Sequence, residues 1–291
     1  MPKGASFRGA LFSFAAAATK TQSLFFVASA MRRQYNARMS KEVDTDKVVR
    51  QHLEMEGFFT GYVIRGAKAR ESAEPLHPES QEKASIPGPS SNAAEELEAI
   101  AAEVRRCCKC GLGATRTHGV PGEGSPNARI MFIGEAPGAD EDAQGRPFVG
   151  RAGQLLDKII AACGLKREEV YIANILKCRP PDNRDPREDE VFSCLPYLQR
   201  QIEVIRPQVI VALGAHAART LLGTEKSIGQ LRGQFQEYSP GLGQPTIRLM
   251  ATYHPAYILR NYTPDTRRRV WEDMKKVLVE LGLPVPDRGK G

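Results

Sequence analysis

The C-terminal half of the chain alternates short apolar runs with longer amphipathic ones, which predicts alternating strands and helices. The short runs are apolar on both faces, as is typical of parallel strands; they are RIMFIG (129–134), VYIANIL (170–176), VIVALG (209–214) and IRLMATY (247–253). The helical patterns between and after them are GRAGQLLDKIIAACGL (150–165), REDEVFSCLPYLQRQIEVI (187–205), GAHAARTLLG (214–223) and TRRRVWEDMKKVLVELG (266–282).

This order of elements predicts an α/β protein with a three-layer α/β/α fold around a central, mostly parallel four-stranded sheet. Ligands of such sheets bind at the carboxyl ends of the strands. That rule selects Glu135 in the turn after the first strand, Asn174 at the end of the second, and His254 after the fourth. We expect these three side chains to converge on one crevice.

The segments before and after these elements outline the domain organisation. A helical pattern, NAAEELEAIAAEVRRC, precedes the first strand, and the polar stretch before it is rich in Pro, Ser and Glu, as disordered linkers are. We divide the chain into a transit peptide or mis-called extension (1–40), a short helical segment (41–65), the linker (66–92), the main domain (93–282) and a tail (283–291).

The net charge of +7 is confined to the N-terminal segment. Its first 41 residues contain seven Lys or Arg and no acid, whereas the rest of the chain has 34 basic and 34 acidic residues. Global charge is therefore no argument for a nucleic-acid partner. The Ala, Ser and Arg content suits a mitochondrial transit peptide, while Met39 as a natural start makes a mis-called extension an equal alternative; a secretory signal ranks last.

No apolar run reaches the ~18 residues that a membrane-spanning helix needs, so we expect no membrane association. We expect the protein inside the cell, in the cytoplasm (at the nucleoid) of a bacterium or in the mitochondrion of a eukaryote, and not secreted. We also expect a monomer.

Four of the six cysteines form a candidate metal site. Cys107 and Cys110 make a C-x-x-C pair, Cys178 follows the second strand, and Cys194 lies sixteen residues later on a helix. Four thiolates of this kind can hold an iron–sulfur cluster or a tetrahedral zinc ion, and the spacing does not separate the two. Buried structural thiols, or disulfides in a secreted chain, are the alternatives. Cys163 is expected in the core, and Cys108 is ambiguous.

Taken together, these residues resemble the family 4 uracil-DNA glycosylases, the iron–sulfur branch of their superfamily. The resemblance covers about residues 107–281 and rests on GEAPGADEDAQGRPFVGRAGQLL, VYIANILKCRPPDNRDP and HPAYILR, together with the cysteine spacing. It implies a three-layer α/β/α fold and a [4Fe-4S] cluster on the four cysteines. It also implies hydrolysis of the bond between uracil and deoxyribose in single- or double-stranded DNA, which leaves an abasic site for base excision repair.

The resemblance assigns roles to three residues of the crevice. A glycosylase reads a base that it has swung out of the duplex. Phe148 is then the residue that stacks on uracil, and Asn174 pairs with uracil O4 and N3–H, a pattern that cytosine reverses. His254 donates a hydrogen bond to O2, where negative charge collects as uracil leaves.

Carboxylates near the sugar can stabilise its positive charge or position the attacking water. The best-known family of these enzymes has an Asp two residues after the first Gly of the GEAPG turn; here that position is Ala136, so we assign the role to Glu135. Ala136 lies in the uracil-binding turn, and Glu141 is expected to exclude the thymine methyl group. Asn183 is a weaker candidate to hold the water.

Two loops are expected to contact DNA. HPAYILR places apolar Tyr257 and Leu259 beside Arg260. The apolar side chains suit a wedge that fills the gap left in the base stack by the flipped nucleotide, while Arg260 contacts phosphate. The loop KCRPPDNRDPR contributes Arg179 and Arg184.

The sequence leaves two alternative functions open. The first is a noncatalytic iron–sulfur protein that binds DNA or carries electrons, although such a protein does not need Glu135, Asn174 and His254 on three strand ends. The second is a glycosylase with broader specificity for deaminated bases such as hypoxanthine or xanthine.

Overall fold

The computed structural model describes residues 92–240 and 244–286. The interpretations of residues 1–40 and 41–65, and nearly all of the linker, lie outside the described residues, as do positions 287–291 of the tail. Within the described residues, no helix is long and apolar enough to cross a membrane.

The described residues form six strands and eight α-helices. The strands are β1 (Glu123–Gly124), β2 (Ile130–Gly134), β3 (Tyr171–Asn174), β4 (Val209–Leu213), β5 (Phe235–Tyr238) and β6 (Ile247–Thr252). The helices are α1 (Ala93–Arg106), α2 (Ala139–Gln144), α3 (Arg151–Ala162), α4 (Glu188–Ile205), α5 (Ala215–Leu222), α6 (Ile228–Leu231), α7 (Pro255–Arg260) and α8 (Pro264–Glu280).

The strands make one mixed sheet in the order β1-β3-β2-β4-β6-β5. The four predicted strands form its parallel centre, and β1 and β5 add antiparallel edges. The α/β class and the mostly parallel sheet are therefore confirmed, while the strand count in the described part rises from four to six. The edges were missed because β1 has two residues and β5 has the partly exposed sequence FQEY.

Helices cover both faces of the sheet because each central strand is apolar on both sides. In β2, Ile130 and Phe132 pack with residues of α3 and α8, whereas Met131 and Ile133 pack with residues of α4 and α5. This alternation follows from the two-residue period of a strand. It confirms the predicted three layers.

Strand order brings four carboxyl ends side by side. Gly134 at the end of β2 is paired with Asn174 at the end of β3. On the other side of β2, β4 runs into α5, and β6 then leads through His254 into α7. The three polar residues selected from the sequence therefore lie at one carboxyl edge of the sheet, at the ends of β2, β3 and β6.

Candidate active site

Asn174 and Phe148 meet above the backbone of Gly134. A Cβ atom built on Gly134 would overlap both Asn174 Oδ1 and the Phe148 ring, so only glycine fits there. Asn174 is 2% exposed, and its Oδ1 is buried without a hydrogen-bond partner. Because a buried polar atom without a partner costs free energy, this carbonyl oxygen is an acceptor that a ligand can satisfy.

The loop that carries Phe148 is held in an unusual conformation. Phe148 has φ of 50°, in the left-handed region that non-glycine residues rarely adopt, and its ring is 5% exposed. The backbone of Phe148 leaves no room for a side chain at Gly153 in α3. Strain of this kind, of order 1–3 kcal/mol, persists only where surrounding contacts impose it.

Glu141 supplies several of those contacts. Its Oε1 accepts hydrogen bonds from the backbone N–H groups of Val149 at 2.8 Å and Gly150 at 2.9 Å, and its Oε2 accepts one from Gly138 at 3.1 Å. The carboxylate thus joins the GEAPG turn to the Phe148 loop. Its expected role of excluding the thymine methyl group stays a prediction.

His254 lies beside Phe148, with the two ring centroids 5.7 Å apart. Its Nδ1 accepts a hydrogen bond from the backbone N–H of Ala256 at 3.1 Å, so the neutral ring carries its proton on Nε2. Burial, with a smaller contribution from the positive charge of Arg260, lowers the pKa of His254 to about 4. His254 is therefore a neutral hydrogen-bond donor at physiological pH.

Glu135 follows β2 and has its pKa displaced towards neutrality. Burial raises the pKa of this carboxyl to about 7; the negative charge of Asp185 adds to the rise, and the positive charge of Arg260 opposes it. The backbone is fixed on both sides of the turn, since Ile175 N–H donates to Gly134 O and Leu176 N–H to Glu135 O. A positioned carboxyl with a pKa near the working pH suits general-base chemistry.

Asn183 and Arg184 lie in the loop between β3 and α4. Asn183 is exposed, and its Oδ1 accepts a hydrogen bond from Arg179 Nε at 2.9 Å. Arg184 forms a two-pronged ion pair with the buried Glu190, at 2.8 and 2.5 Å. The water-holding role of Asn183 and the phosphate-binding roles of Arg179 and Arg184 stay predictions, but both arginines also hold this loop in shape.

The loop after β6 presents a mixed surface. The Tyr257 side chain is 41% exposed and stacks on Tyr253, with ring centroids 5.0 Å apart. Leu259 is half-buried against the main core, whereas Arg260 is exposed at the end of α7. Tyr257 and Arg260 therefore fit a DNA-facing role better than Leu259 does.

Two residues near the crevice were not found from the sequence. Asp185 acts on the pKa of both Glu135 and His216, and His216 follows β4 at the same carboxyl edge, with a buried Nδ1 that has no hydrogen-bond partner. The strand-end rule, applied to β4, would have selected His216. Asp142, in the acidic run after the GEAPG turn, is buried and accepts hydrogen bonds from Thr117 N–H.

The four selected cysteines line one pocket; they are Cys107, Cys110, Cys178 and Cys194. All six cysteines are free thiols. Cys163 is buried in the core, as expected, and Cys108 is exposed.

Two hydrogen-bond donors contact thiols of this pocket. Arg116 Nη1 donates to Cys178 Sγ at 2.9 Å, and Lys177 N–H donates to Cys194 Sγ at 3.1 Å. Among the described residues, however, no group of three or more His, Cys, Asp or Glu side chains converges as a ligand set for one metal ion. The two observations differ because a shared pocket wall does not require thiols close enough to bind one ion.

The fold and this crevice place the chain among known proteins. The sequence model of the uracil DNA glycosylase superfamily matches residues 121–275. That range contains the whole carboxyl edge of the sheet from Glu135 to His254.

Individual relatives show which family within this superfamily the chain belongs to. The type-4 uracil-DNA glycosylase of Saccharolobus solfataricus is 50% identical over 188 residues, which cover 63% of this chain and 85% of the relative. The enzymes of the same name from Sulfurisphaera tokodaii and Archaeoglobus fulgidus are 48% and 46% identical, over 63% of this chain in each case and 84% and 92% of the relative. The chain therefore belongs to the type-4 uracil-DNA glycosylases within that superfamily.

Proposed function

We propose that this protein removes uracil from DNA by hydrolysing the N-glycosidic bond, leaving an abasic site for base excision repair. The buried, unpartnered Oδ1 of Asn174 beside the Phe148 ring carries the proposal. Family membership and the names of the relatives support the same activity.

Asn174 accounts for base selection. Its Oδ1 accepts from uracil N3–H while its amide NH₂ donates to O4. Cytosine presents a donor at position 4 and a bare acceptor at N3, so it leaves buried groups unpaired. The ring of Phe148 stacks on the base, an interaction worth ~1–3 kcal/mol that does not itself distinguish bases.

His254 stabilises the departing base. As the glycosidic bond lengthens, uracil takes the bonding electron pair, and negative charge collects on O2. The neutral imidazole, with its proton on Nε2, donates a hydrogen bond to O2 and so stabilises this charge. Donors of this kind typically contribute ~10²–10³ in rate.

Glu135 acts on the sugar side of the bond. In its ionised form it stabilises the positive charge that develops on deoxyribose, or accepts a proton from the attacking water. A positioned acid or base of this kind contributes ~10²–10⁴ in rate. Its pKa of about 7 keeps a large ionised fraction available at neutral pH.

DNA contact is assigned to the two loops that flank the crevice. Arg260 contacts a phosphate, and the exposed Tyr257 fills the space left by the flipped base. Leu259, Arg179 and Arg184 support these contacts, the two arginines mainly by holding the loop between β3 and α4 in shape.

The pocket lined by Cys107, Cys110, Cys178 and Cys194 is the proposed site of a [4Fe-4S] cluster. Four cysteine thiols on one pocket wall are the donor set that such a cluster takes, and the hydrogen bonds donated to Cys178 and Cys194 suit thiolates. The spacing alone does not separate iron from zinc, and the family resemblance supports iron. When bound, the cluster would supply a cross-link between the end of α1, the loop after β3 and α4.

Incubation of purified protein with a uracil-containing oligonucleotide, followed by alkali cleavage, tests the activity. We expect strand scission at uracil and none with matched thymine or cytosine oligonucleotides, in single or double strands. Hypoxanthine and xanthine oligonucleotides test the broader specificity. Binding without scission would favour a noncatalytic DNA-binding protein instead.

Asn174→Asp tests the assignment of the pocket. Its carboxylate repels uracil O4 and loses the amide donor, so uracil cleavage should fall by about 2–3 kcal/mol in transition-state terms. The exposed Asn127→Asp is the matched control and should retain the wild-type rate. Unchanged cleavage by Asn174→Asp would remove this residue from the pocket.

A further inference from the structure

Lys177 is a fully buried cation beside the thiol pocket. The residue is 1% exposed and lies between Leu176 and Cys178, and its Nζ donates to Gln201 Oε1 at 2.7 Å. Within the described part of the chain, Lys177 has no carboxylate within ion-pair distance. A buried ammonium whose acceptor is a neutral amide costs several kcal/mol, a cost that a nearby negative charge would offset.

The Gln201 amide is itself held in place. Its Nε2 donates to Pro121 O at 2.8 Å and to the Tyr171 hydroxyl at 3.1 Å, which directs Oε1 towards Lys177. The ammonium is therefore positioned by a fixed neutral acceptor and is not a mobile surface charge. Lys177 also forms part of the wall of the pocket that Cys178 and Cys194 line.

Arg116 is a second cation on the same wall. Its Nη1 donates to Cys178 Sγ at 2.9 Å, and its Nη2 donates to Arg105 O at 2.8 Å. No carboxylate of the described residues forms an ion pair with it. The two contacts that hold the guanidinium are thus a thiol and a backbone carbonyl, neither of which is a carboxylate counter-charge.

We propose that Lys177 and Arg116 are the counter-charges of the iron–sulfur cluster on Cys107, Cys110, Cys178 and Cys194. This inference rests on the cluster proposed above. An oxidised four-iron cluster with four thiolates carries about two negative charges, which two cations balance. The pair therefore makes it possible to bury the cluster against the apolar wall formed by residues such as Val104 and Leu112.

The proposal has two measurable consequences. Loss of either cation leaves part of the cluster charge uncompensated, so iron should be released faster to a chelator. One-electron reduction by dithionite, in which dithionite is oxidised and the cluster gains one negative charge, should also become harder. Both readouts are independent of glycosylase activity.

Lys177→Met and Arg116→Gln test the proposal in the full-length, iron-loaded protein. We expect each to release iron about 10–100-fold faster than wild type, the usual range for changes around metal ligands, and to show a lower reduction potential. Lys177→Arg keeps the charge and should restore the wild-type potential. The matched control is Lys166→Met: Lys166 is exposed and is not among the residues that line the pocket, so its loss should change neither readout.

The outcomes separate this inference from the cluster proposal. Wild-type protein that contains zinc or no metal overturns both. Wild-type protein with about four irons, together with Lys177→Met and Arg116→Gln variants that match Lys166→Met in iron release and potential, overturns the counter-charge assignment alone. If Lys177→Met fails to fold, the Arg116→Gln variant decides the question by the same two measurements.

Discussion

At the scale of single residues, the same cause shifts the pKa values of Glu135 and His254 in opposite directions. Burial disfavours the charged form of each, so it raises the pKa of the carboxyl and lowers that of the imidazole. His254 consequently stays neutral across the physiological range. Glu135 is the only one of the two that changes its charge near neutral pH.

The first prediction concerns the pH dependence of cleavage. If ionised Glu135 is required, kcat/KM should rise with pH through an apparent pKa of about 7, since this quantity reports the free enzyme. Asp185→Asn removes a charge that raises this pKa and should move the profile to lower pH. Arg260→Gln removes a charge that lowers it and should move the profile to higher pH. Single-turnover cleavage at subsaturating enzyme, measured across the pH range, checks this; identical profiles for all three proteins would contradict it.

The second prediction concerns stability at the same residue. The pKa of Glu135 rises from 4.5 to about 7 on folding, so the folded state binds more protons between these values. Stability is therefore lost as pH rises through this window, by up to about 3 kcal/mol. Glu135→Gln cannot ionise, so its stability advantage over wild type should grow between these pH values, whereas its cleavage should fall. Thermal unfolding at both ends of the window measures the advantage; equal shifts at both ends would contradict it.

Sequence reasoning found the residues that follow strands and missed those that depend on contacts between loops. Asn174 and His254 were selected because strand ends meet at one edge, and Phe148 because of the family resemblance. Asp185 was missed because its effect on Glu135 depends on how the loop between β3 and α4 folds back. The contacts of Glu141 were not foreseen either, because its partners are backbone N–H groups that sequence patterns do not identify.

At the scale of elements, the central strands were predictable because they are apolar on both faces. Helices α3, α4, α5 and α8 were predictable from their amphipathic period. The short helix α2 and the conformation at Phe148 were not, because they depend on tertiary contacts: α2 carries Glu141, whose carboxylate receives hydrogen bonds from both flanking loops.

The third prediction concerns this connection between α2 and the Phe148 loop. Glu141→Ala removes three hydrogen bonds from backbone N–H groups to a carboxylate, so we expect a loss of about 1–3 kcal/mol in stability. Because Phe148 should then leave its strained conformation, single-turnover cleavage should fall about 10–100-fold. The control is Glu168→Ala, an exposed position in a different turn. A lower unfolding temperature with an unchanged cleavage rate would show that Glu141 supports the fold alone.

At the scale of the whole molecule, the proposed DNA contact depends on the position of individual charges and not on net charge. The basic excess lies in the first 41 residues, so the rest of the chain meets DNA with no net charge. Binding must then depend on where individual cations lie. Arg260 is exposed at the end of α7 and also acts on the pKa of Glu135 and His254, so the phosphate contact proposed for it would lie close to the reacting groups.

The fourth prediction separates binding from chemistry across that edge. His254→Ala removes the donor to the leaving base and should lower single-turnover cleavage by ~10²–10³, while duplex affinity stays near wild type because affinity rests mainly on phosphate contacts. Arg260→Ala should weaken binding and reduce the slope of log affinity against log salt by about one. Its cleavage rate at saturating protein should fall much less than that of His254→Ala. Affinity titrations at several salt concentrations, run beside single-turnover assays on the same preparations, test both variants. If His254→Ala loses affinity as strongly as Arg260→Ala, the imidazole contributes to binding the DNA and the assignment to the leaving group is wrong.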